Sequence, residues 1–193
     1  MGYMQMRVLI KPARWLAVVL LLSGCGTATM TTSGAVSPTT IATTPAAADP
    51  ILTIPFSDAH SGQSLTLASF AGKTVLVEGM AVWCTNCLAQ QQQVVLARQK
   101  FGPNIQDISI DIDASENAPQ LVKYAADKGF DWTFGLANKP LMDALVAKYG
   151  RVFTNPSNVP MFIISPDGKL STIISGGHSA DDLLKQISQP PAA

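Results

Sequence analysis

Cys84 and Cys87, two cysteines with two residues between them, are the residues whose type and spacing could do chemistry. Such a pair can be a structural disulfide, part of a metal site or a redox couple. A disulfide that closes so small a loop contributes only about 2 kcal/mol of stability in the chain-entropy model. A zinc site needs two or three more ligands, and the two histidines of the chain, His60 and His178, lie in separate turn-like segments. The redox interpretation is therefore favoured.

The predicted local structure suits a redox role. The mostly apolar segment 73–83 predicts a strand, and the segment 85–101 predicts a helix that ends before Gly102. Cys87 then falls in the first helical turn, where backbone N–H groups and the helix dipole lower the pKa of a thiol from its free value of about 8.5. We expect Cys84 to be the exposed nucleophile and Cys87 to be the more buried, resolving thiol.

An acidic residue, Glu78, interrupts the apolar strand that leads to the cysteines. A buried carboxylate is costly unless it is protonated or paired. Burial would raise the pKa of Glu78 and let it accept a proton near neutral pH, from Cys87 rather than from Cys84. The alternative is an edge-strand residue that reaches solvent or pairs with Lys73.

The elements that must position these residues alternate between strands and helices. In order, the sequence predicts a hairpin over 51–70, the strand 73–83, the helix 85–101, a strand over 104–113, helices over 115–129 and 139–150, a hairpin over 159–177 and a terminal helix over 179–187. Ser115 is the expected start signal of the second helix. This order predicts an α/β fold, with a central mixed β-sheet flanked by helices on both faces and an N-terminal β-hairpin extension.

The first residues have the features of a secretory signal. Arg7, Lys11 and Arg14 precede the apolar run "WLAVVLLL", and the small residues "SG" lead to Cys25. The run is too short for a comfortable membrane span. The segment 22–25, "LSGC", resembles the lipobox of bacterial lipoproteins. That resemblance implies a signal peptide over 1–24 and lipid on Cys25, and the alternative is an ordinary cleaved signal or an uncleaved anchor.

The next segment, 25–50, is rich in Thr, Ala, Ser and Pro and predicts a flexible linker, so the folded domain is expected over 51–193. If Cys25 carries lipid, one pair of cysteines remains in a compartment where disulfides persist. Lys and Arg together number 13, as do Asp and Glu. This neutral balance gives no electrostatic footprint for nucleic acid, so we expect no nucleic-acid partner.

The stretch "VLVEGMAVWCTNC", residues 75–87, resembles the active-site strand, loop and helix of the thioredoxin superfamily. The preceding "GQSLTLASFAGKTVLV" is similar to the lead-in of its TlpA-type, membrane-tethered members. The resemblance implies a thioredoxin fold over nearly the whole mature domain. It also implies a cis proline at Pro160, with the backbone of Val159 presented to an extended substrate.

The same resemblance assigns two further side chains. Trp83 matches the family's tryptophan before the first cysteine, and its alternative is a core aromatic residue. Glu78 stands where thioredoxins carry the buried acid that takes the proton of the resolving cysteine. The sequence departs from the TlpA-type pattern at Gln90, where those proteins often carry a glutamate. The run from Gln90 to Gln93 is otherwise expected to be a solvated helix face.

Together these features imply an extracytoplasmic thiol–disulfide oxidoreductase that needs no cofactor beyond its redox-active disulfide. The expected partners are cysteine-containing envelope proteins and a membrane thiol-electron transporter. We expect a monomer, lipid-anchored at the outer face of the cytoplasmic membrane, and we favour the reducing direction. The alternative is a Sco-like copper chaperone with Cys84, Cys87 and His178 as ligands, although the Sco-type pair has three residues between its cysteines.

Overall fold

The computed structural model of the chain describes residues 49–189. The six strands are β1 (Phe56–Asp58), β2 (Ser64–Leu65), β3 (Thr74–Met80), β4 (Ile105–Asp111), β5 (Thr133–Leu136) and β6 (Met161–Ile164). The four α-helices are α1 (Thr85–Phe101), α2 (Ala118–Lys128), α3 (Lys139–Tyr149) and α4 (Ala180–Ile187). The predicted signal peptide, Cys25 and nearly all of the predicted linker lie outside these residues.

The strands form one mixed sheet in the order β2-β1-β5-β4-β3-β6. β3 pairs in parallel with β4, and β4 with β5, whereas the β1–β2, β1–β5 and β3–β6 pairs are antiparallel. The predicted fold class and the N-terminal hairpin are thus confirmed. β3 is an inner strand with every residue buried, so the edge-strand alternative for Glu78 is wrong.

Side chains of β3 alternate between the two faces of the sheet, as a strand period of two requires. Val75 and Val77 pack in the cluster that contains Leu141 and Leu145 of α3. Leu76 packs with α1 and α4 on the other face, and Met80 packs there beside the cysteines. Glu78 belongs to this second face, so the sheet directs its carboxyl toward the helix that carries the cysteine pair.

The helix α2 begins three residues later than predicted. Ser115 lies in the loop before it and hydrogen-bonds to Asp113, and Asn117 is the N-cap. The Asn117 side chain accepts from the N–H of Gln120 at 3.2 Å, and Gln120 accepts from the N–H of Asn117 at 2.9 Å. This reciprocal capping box satisfies two end groups of the helix, which Ser115 could not do from its position.

The strand β5 was not predicted, although it joins the N-terminal hairpin to the rest of the sheet. It is only four residues long, with Gly135 inside it. A Cβ atom at Gly135 would lie 2.5 Å from the Phe56 ring. The glycine is therefore required by close packing against β1, although glycine in a sequence disfavours a strand.

The predicted C-terminal hairpin is only partly formed. Residues 170–174 make two isolated bridges to β6, Met161 to Ile174 and Ile164 to Leu170, so the outer segment holds one extra residue between them. Beside this bulge the N–H of Ile163 donates to the Ser171 hydroxyl at 2.9 Å. Because a side chain has replaced a backbone acceptor, the regular ladder is broken there.

Candidate active site

Cys84 and Cys87 form a disulfide at the N-terminus of α1, with Cα atoms 5.3 Å apart. Cys84 is the N-cap residue, and its sulfur accepts from the N–H of Cys87 at 3.1 Å. Free N–H groups of a first helical turn favour a negative charge beside them. This position can therefore stabilise a thiolate on Cys84 once the disulfide is reduced.

Both cysteines are buried in the disulfide form. Cys87 is fully buried, as expected, but Cys84 is only 3% exposed, so the prediction of an exposed Cys84 is wrong for this state. Cys84 instead lines a surface cleft of about 450 Å³, together with Trp83, Leu88 and Tyr124. The cleft is therefore the side from which another molecule can approach Cys84.

Trp83 is 56% exposed, which excludes the core-aromatic alternative. Its indole Nε1 donates to Asp113 Oδ2 at 2.7 Å. This bond fixes the ring beside Cys84. Hydrogen bonds from Ser115, and then the one from Trp83, lower the pKa of Asp113. An exposed, oriented ring next to a reactive sulfur offers an apolar contact to a bound polypeptide.

A second carboxylate holds the loop before the cysteines. The N–H of Val82 donates to both oxygens of Glu116, at 3.0 and 2.9 Å. Burial raises the pKa of Glu116, and burial also raises the pKa of nearby Asp111 to about 7. Sequence analysis missed Asp113 and Glu116, which lie in the loop between β4 and α2 and bring negative charge to the loop that leads to Cys84.

Glu78 is 4% exposed, and burial raises its pKa to about 7. Its Oε1 accepts from the Ser109 hydroxyl at 2.7 Å and from the Gln91 amide. Its Oε2 has no hydrogen-bond partner among residues 49–189. The predicted burial and raised pKa are therefore present, whereas within the described part of the chain neither cysteine hydrogen-bonds to the carboxyl.

Gln91 connects Glu78 to the helices around it. It lies one turn beyond Cys87 on α1, and residues four apart on a helix are neighbours. Its Oε1 accepts from the Tyr124 hydroxyl at 2.6 Å. On the other side, Ser109 accepts from the Trp132 indole at 2.8 Å. Hydrogen bonds thus link Oε1 of the acid to α1, α2 and the segment that carries Trp132. A count of four residues from Cys87 would have found Gln91.

The predicted solvated glutamine face is wrong for Gln90 and Gln91, although Gln92 is exposed. Gln90 and Gln91 are buried. Gln90 accepts from the backbone N–H of His178 at 2.7 Å, and Gln93 accepts from that of Ala180 at 3.0 Å. These side chains satisfy end groups of α4 and of the segment before it, which explains why they face inward.

The segment before β6 covers the cysteine pair, but not as predicted. The peptide bond before Pro160 is trans, since residues 49–189 contain no cis bond. Val159 has a left-handed backbone (φ 48°, ψ 59°), and its N–H donates to the Pro156 carbonyl at 2.8 Å. This turn leads the chain into β6 without a cis bond. Val159 and Pro160 are both buried, and their predicted contact with substrate stays a prediction.

Two contacts hold this segment against the helix. Cys87 Sγ lies 3.2 Å from the carbonyl oxygen of Pro156, and the Asn86 amide donates to the Ser157 carbonyl at 3.1 Å. In the reduced state the Cys87 thiol can donate to Pro156. Beside these contacts is a cleft of about 530 Å³, whose lining includes Asn86, Gln90, Ser157, Val159, Gly177 and His178.

The copper ligand set is not assembled. Within residues 49–189, no three or more side chains of His, Cys, Asp or Glu are arranged to hold a metal ion. The His178 ring lies 3.2 Å from the Ser175 carbonyl through Nε2 and 3.4 Å from the Gln186 amide through Nδ1. Also within that range, no helix combines the length and apolar character needed to span a membrane.

No protein-family model and no curated protein sequence matches the chain. Among solved structures, a thiol:disulfide interchange protein of the thioredoxin family from Chlorobium tepidum is 20% identical, with a TM-score of 0.59 over 75% of this chain and 97% of that chain. A secreted disulfide oxidoreductase from Mycobacterium tuberculosis, homologous to E. coli DsbE, is 16% identical, with a TM-score of 0.58 over 73% and 98%.

BsSco, a member of the Sco family of cytochrome c oxidase assembly proteins, is also 16% identical, with a TM-score of 0.56 over 69% of this chain and 88% of that chain. At these identities the similarity shows the fold, and activity has to be argued from the site. The described domain has the thioredoxin fold, with a disulfide-bonded Cys-x-x-Cys pair at the N-terminus of its first α-helix.

Proposed function

We propose that the protein is an extracytoplasmic thiol–disulfide oxidoreductase that reduces disulfides of envelope proteins through Cys84 and Cys87. The principal observation is the Cys84–Cys87 disulfide at the N-terminus of α1. A small-loop disulfide adds little stability, whereas this position favours the thiolate that disulfide exchange requires. The buried Glu78, on the same face of the sheet, supplies a candidate base.

The reaction begins with the reduced pair. The Cys84 thiolate attacks one sulfur of the substrate disulfide, forms a mixed disulfide and releases the other substrate sulfur as a thiolate, which takes a proton from water. Cys87 then passes its proton to Glu78 and attacks Cys84 Sγ. The Cys84–Cys87 disulfide forms, the second substrate thiolate leaves, and the substrate has gained the two electrons that the cysteine pair has lost.

Negative charge near the pair supports the reducing direction. Glu116 binds the backbone of Val82, two residues before Cys84, and Asp113 binds the Trp83 ring. Nearby carboxylates disfavour a thiolate. They therefore favour the disulfide over the reduced pair, which lowers the reduction potential and makes the reduced protein a better electron donor.

The cellular setting rests on sequence features. The "LSGC" segment, the linker and the TlpA-type lead-in support a lipoprotein tethered at the outer face of the cytoplasmic membrane. A tethered reductant there needs electrons from inside the cell, and a membrane thiol-electron transporter would supply them. Its substrates would be envelope proteins with cysteine pairs, which could contact Trp83 and the backbone around Val159.

The copper-chaperone alternative receives less support. The similarity to BsSco is one of fold, and the His178 ring is held by Ser175 and Gln186. A Cu(I) titration of the reduced protein and of its His178→Ala variant separates the two functions. A copper site of the Sco kind would lose affinity in the variant, whereas adventitious binding to the cysteine pair would not.

The proposed function is tested by the reduction potential of the pair together with its redox state in growing cells. A reductant should have a potential near that of thioredoxin, about −270 mV, and should be found mostly reduced. It should reduce a disulfide-bonded test protein, and the double variant Cys84→Ser/Cys87→Ser should not. A pair that is mostly oxidised in cells, with a potential nearer −120 mV, would instead indicate an oxidant.

A further inference from the structure

A small cavity lies directly beside Glu78, between β3, β4 and α1. The volume open to the centre of a water molecule is about 10 Å³, which matches one water. Its lining consists of Leu76, Glu78, Val94, Asp107, Ile108, Ser109 and Trp132. The wall is mostly apolar, but two of the lining side chains are buried carboxyls, each with an oxygen that has no hydrogen-bond partner within residues 49–189, and such oxygens are what an internal water binds.

Asp107 has no role in the mechanism above, yet it is 3% exposed at the centre of the domain. Its Oδ1 has no hydrogen-bond partner within residues 49–189, as is true of Glu78 Oε2. Its Oδ2 lies 3.0 Å from Nε of Arg98, a partly exposed residue of α1. Asp107 therefore lies between the cavity and an arginine that reaches the surface, where Arg98 also pairs with Asp131.

A water in this cavity would satisfy both orphan oxygens at once. Buried polar atoms are rarely left unpaired, and internal waters commonly bridge them. Leu76 on β3 lies opposite Asp107 on β4, and Glu78 lies opposite Ser109. The two carboxyls thus come from adjacent strands on the same face, two positions apart.

We propose that one water held between Glu78 and Asp107 couples the two carboxyls, so that Asp107 is a positioning residue that controls when Glu78 accepts the proton of Cys87. This inference rests on the proposed function. After Cys87 has given its proton to Glu78, the protonated Glu78 passes a proton to the water, and the water passes one to ionised Asp107. Asp107 then releases its proton to solvent on the side of Arg98.

Charged groups on neighbouring elements act on the two carboxyls. Arg98 faces Asp107 from α1 and favours its charged form, whereas burial, Glu78 and the more distant Asp131 raise its pKa to about 7. Tyr124, on α2, approaches Glu78 only through Gln91. Because two carboxylates that share one site resist ionising together, a negative charge on either of Glu78 and Asp107 opposes the ionisation of the other.

Two variants of the full-length protein should move the pKa of Glu78 in opposite directions. Asp107→Asn keeps the shape of the side chain and removes the negative charge beside Glu78. The midpoint of the Glu78 carboxyl titration should therefore fall by about one pH unit. Val94→Ile places a methyl group in the cavity and displaces the water. The ionised Glu78 then loses a donor, and its midpoint should rise by about half a pH unit.

Carboxyl titration by ¹³C NMR of the oxidised protein measures these midpoints without any assay of activity. The pH dependence of the resolving step, measured by stopped flow in the reduced protein, should shift in the same two directions. Asp143→Asn, on the exposed face of α3, is the charge-matched control, because Asp143 contacts neither the cavity nor Arg98, and it should leave the pKa of Glu78 in place.

An unchanged Glu78 midpoint in Asp107→Asn, or a shift of the same sign in both variants, overturns the inference. A structural role for Asp107 would lower stability without these opposed shifts. If the titrations are coupled as expected but the parent protein exchanges no disulfides, the proposed function fails, while the water-linked carboxyl pair stands.

Discussion

Tyr124 donates a hydrogen bond of 2.6 Å to the side-chain oxygen of Gln91, between two different helices of the domain interior. With its oxygen held in this way, the Gln91 amide must direct its N–H group at Glu78. The acid is therefore given a donor that opposes the effect of burial on its pKa. A fully buried carboxyl is in this way kept able to ionise near neutral pH.

The roles of the two cysteines should be asymmetric. In Cys87→Ser, a mixed disulfide with substrate should accumulate through Cys84, because no thiol remains to resolve it. Cys84→Ser should trap far less, since Cys87 is fully buried against Pro156 and lies outside the cleft that Cys84 lines. Non-reducing gels of cells that produce each variant measure this difference, and equal trapping by both variants would remove the assigned roles.

Glu78→Gln should slow the resolving step by about ten- to a hundred-fold, because the amide keeps the shape of the acid but cannot accept the proton of Cys87. The first attack by Cys84 should change much less. Stopped-flow measurement of the two steps distinguishes these effects. If both steps slow alike and the domain is destabilised, Glu78 is a structural residue and the mechanism loses its base.

The stability of the oxidised protein should depend on pH through Glu78. Its pKa is raised from an ordinary value of 4.5 to about 7, so the folded state holds its proton more tightly than the unfolded state. The resulting stabilisation is fully present below about pH 4.5 and is lost as the pH rises through about 7, on the order of 3 kcal/mol. Urea unfolding at pH 5 and pH 8 should show this loss in the parent.

The same unfolding experiment on Glu78→Gln provides the control. The glutamine does not titrate, so the difference in stability between pH 5 and pH 8 should be smaller than in the parent by about the contribution of one buried acid. Asp107 and Asp111, whose pKa values are also raised to about 7, should account for the pH dependence that is left. An identical dependence in parent and variant would contradict the raised pKa of Glu78.

Glu116→Gln should raise the reduction potential of the cysteine pair by on the order of 20 mV, because it removes a negative charge close to Cys84. The pKa of the Cys84 thiol should fall for the same reason. Equilibration with a glutathione buffer measures the potential. Asp143→Asn, on the exposed face of α3, is a charge-matched control that should leave it unchanged, and an unchanged potential in Glu116→Gln would remove the electrostatic argument for a reductant.

Cys25→Ala should release the protein from the membrane fraction or stall its processing, while disulfide exchange by the purified protein stays intact. The expectation rests on the "LSGC" segment, which lies outside the described residues. Fractionation of cells that produce the parent or the variant measures the effect. A variant that fractionates as the parent does would show that lipid on Cys25 is not the anchor.

The sequence predicted those parts of the fold whose patterns are local and strong. β3, α1 and β4 have long apolar runs or clear end signals, and their order determined the fold class. β5 was missed because its glycine is explained only by contact with Phe56, which is distant in sequence. The bulge beside β6 depends on where the Ser171 hydroxyl points, and no periodicity encodes that.

The candidate site divides in the same way. Cys84, Cys87 and Glu78 were found from residue type and spacing within one short stretch. Glu116 contacts Val82 across 34 positions of sequence, and the parallel pairing of β3 with β4 brings the two loops together. Gln91 could have been found because it lies four residues after Cys87 on the predicted helix, but a residue in a run of glutamines is normally assigned to the solvent-exposed face. The backbone at Pro160 departs from the pattern that the family resemblance implies.

The irregular segment beside β6 also bears on the association of protein copies. A sheet with a long, regular outer strand is a template onto which another chain can add its own strand. Here one border strand, β2, has only two residues, and the other border is the bulged segment 170–174. In the part of the chain that the structure describes, neither border offers a neighbouring copy a continuous row of backbone donors and acceptors. Copies at high concentration could therefore stay separate, each with the cleft beside Cys84 open to other proteins.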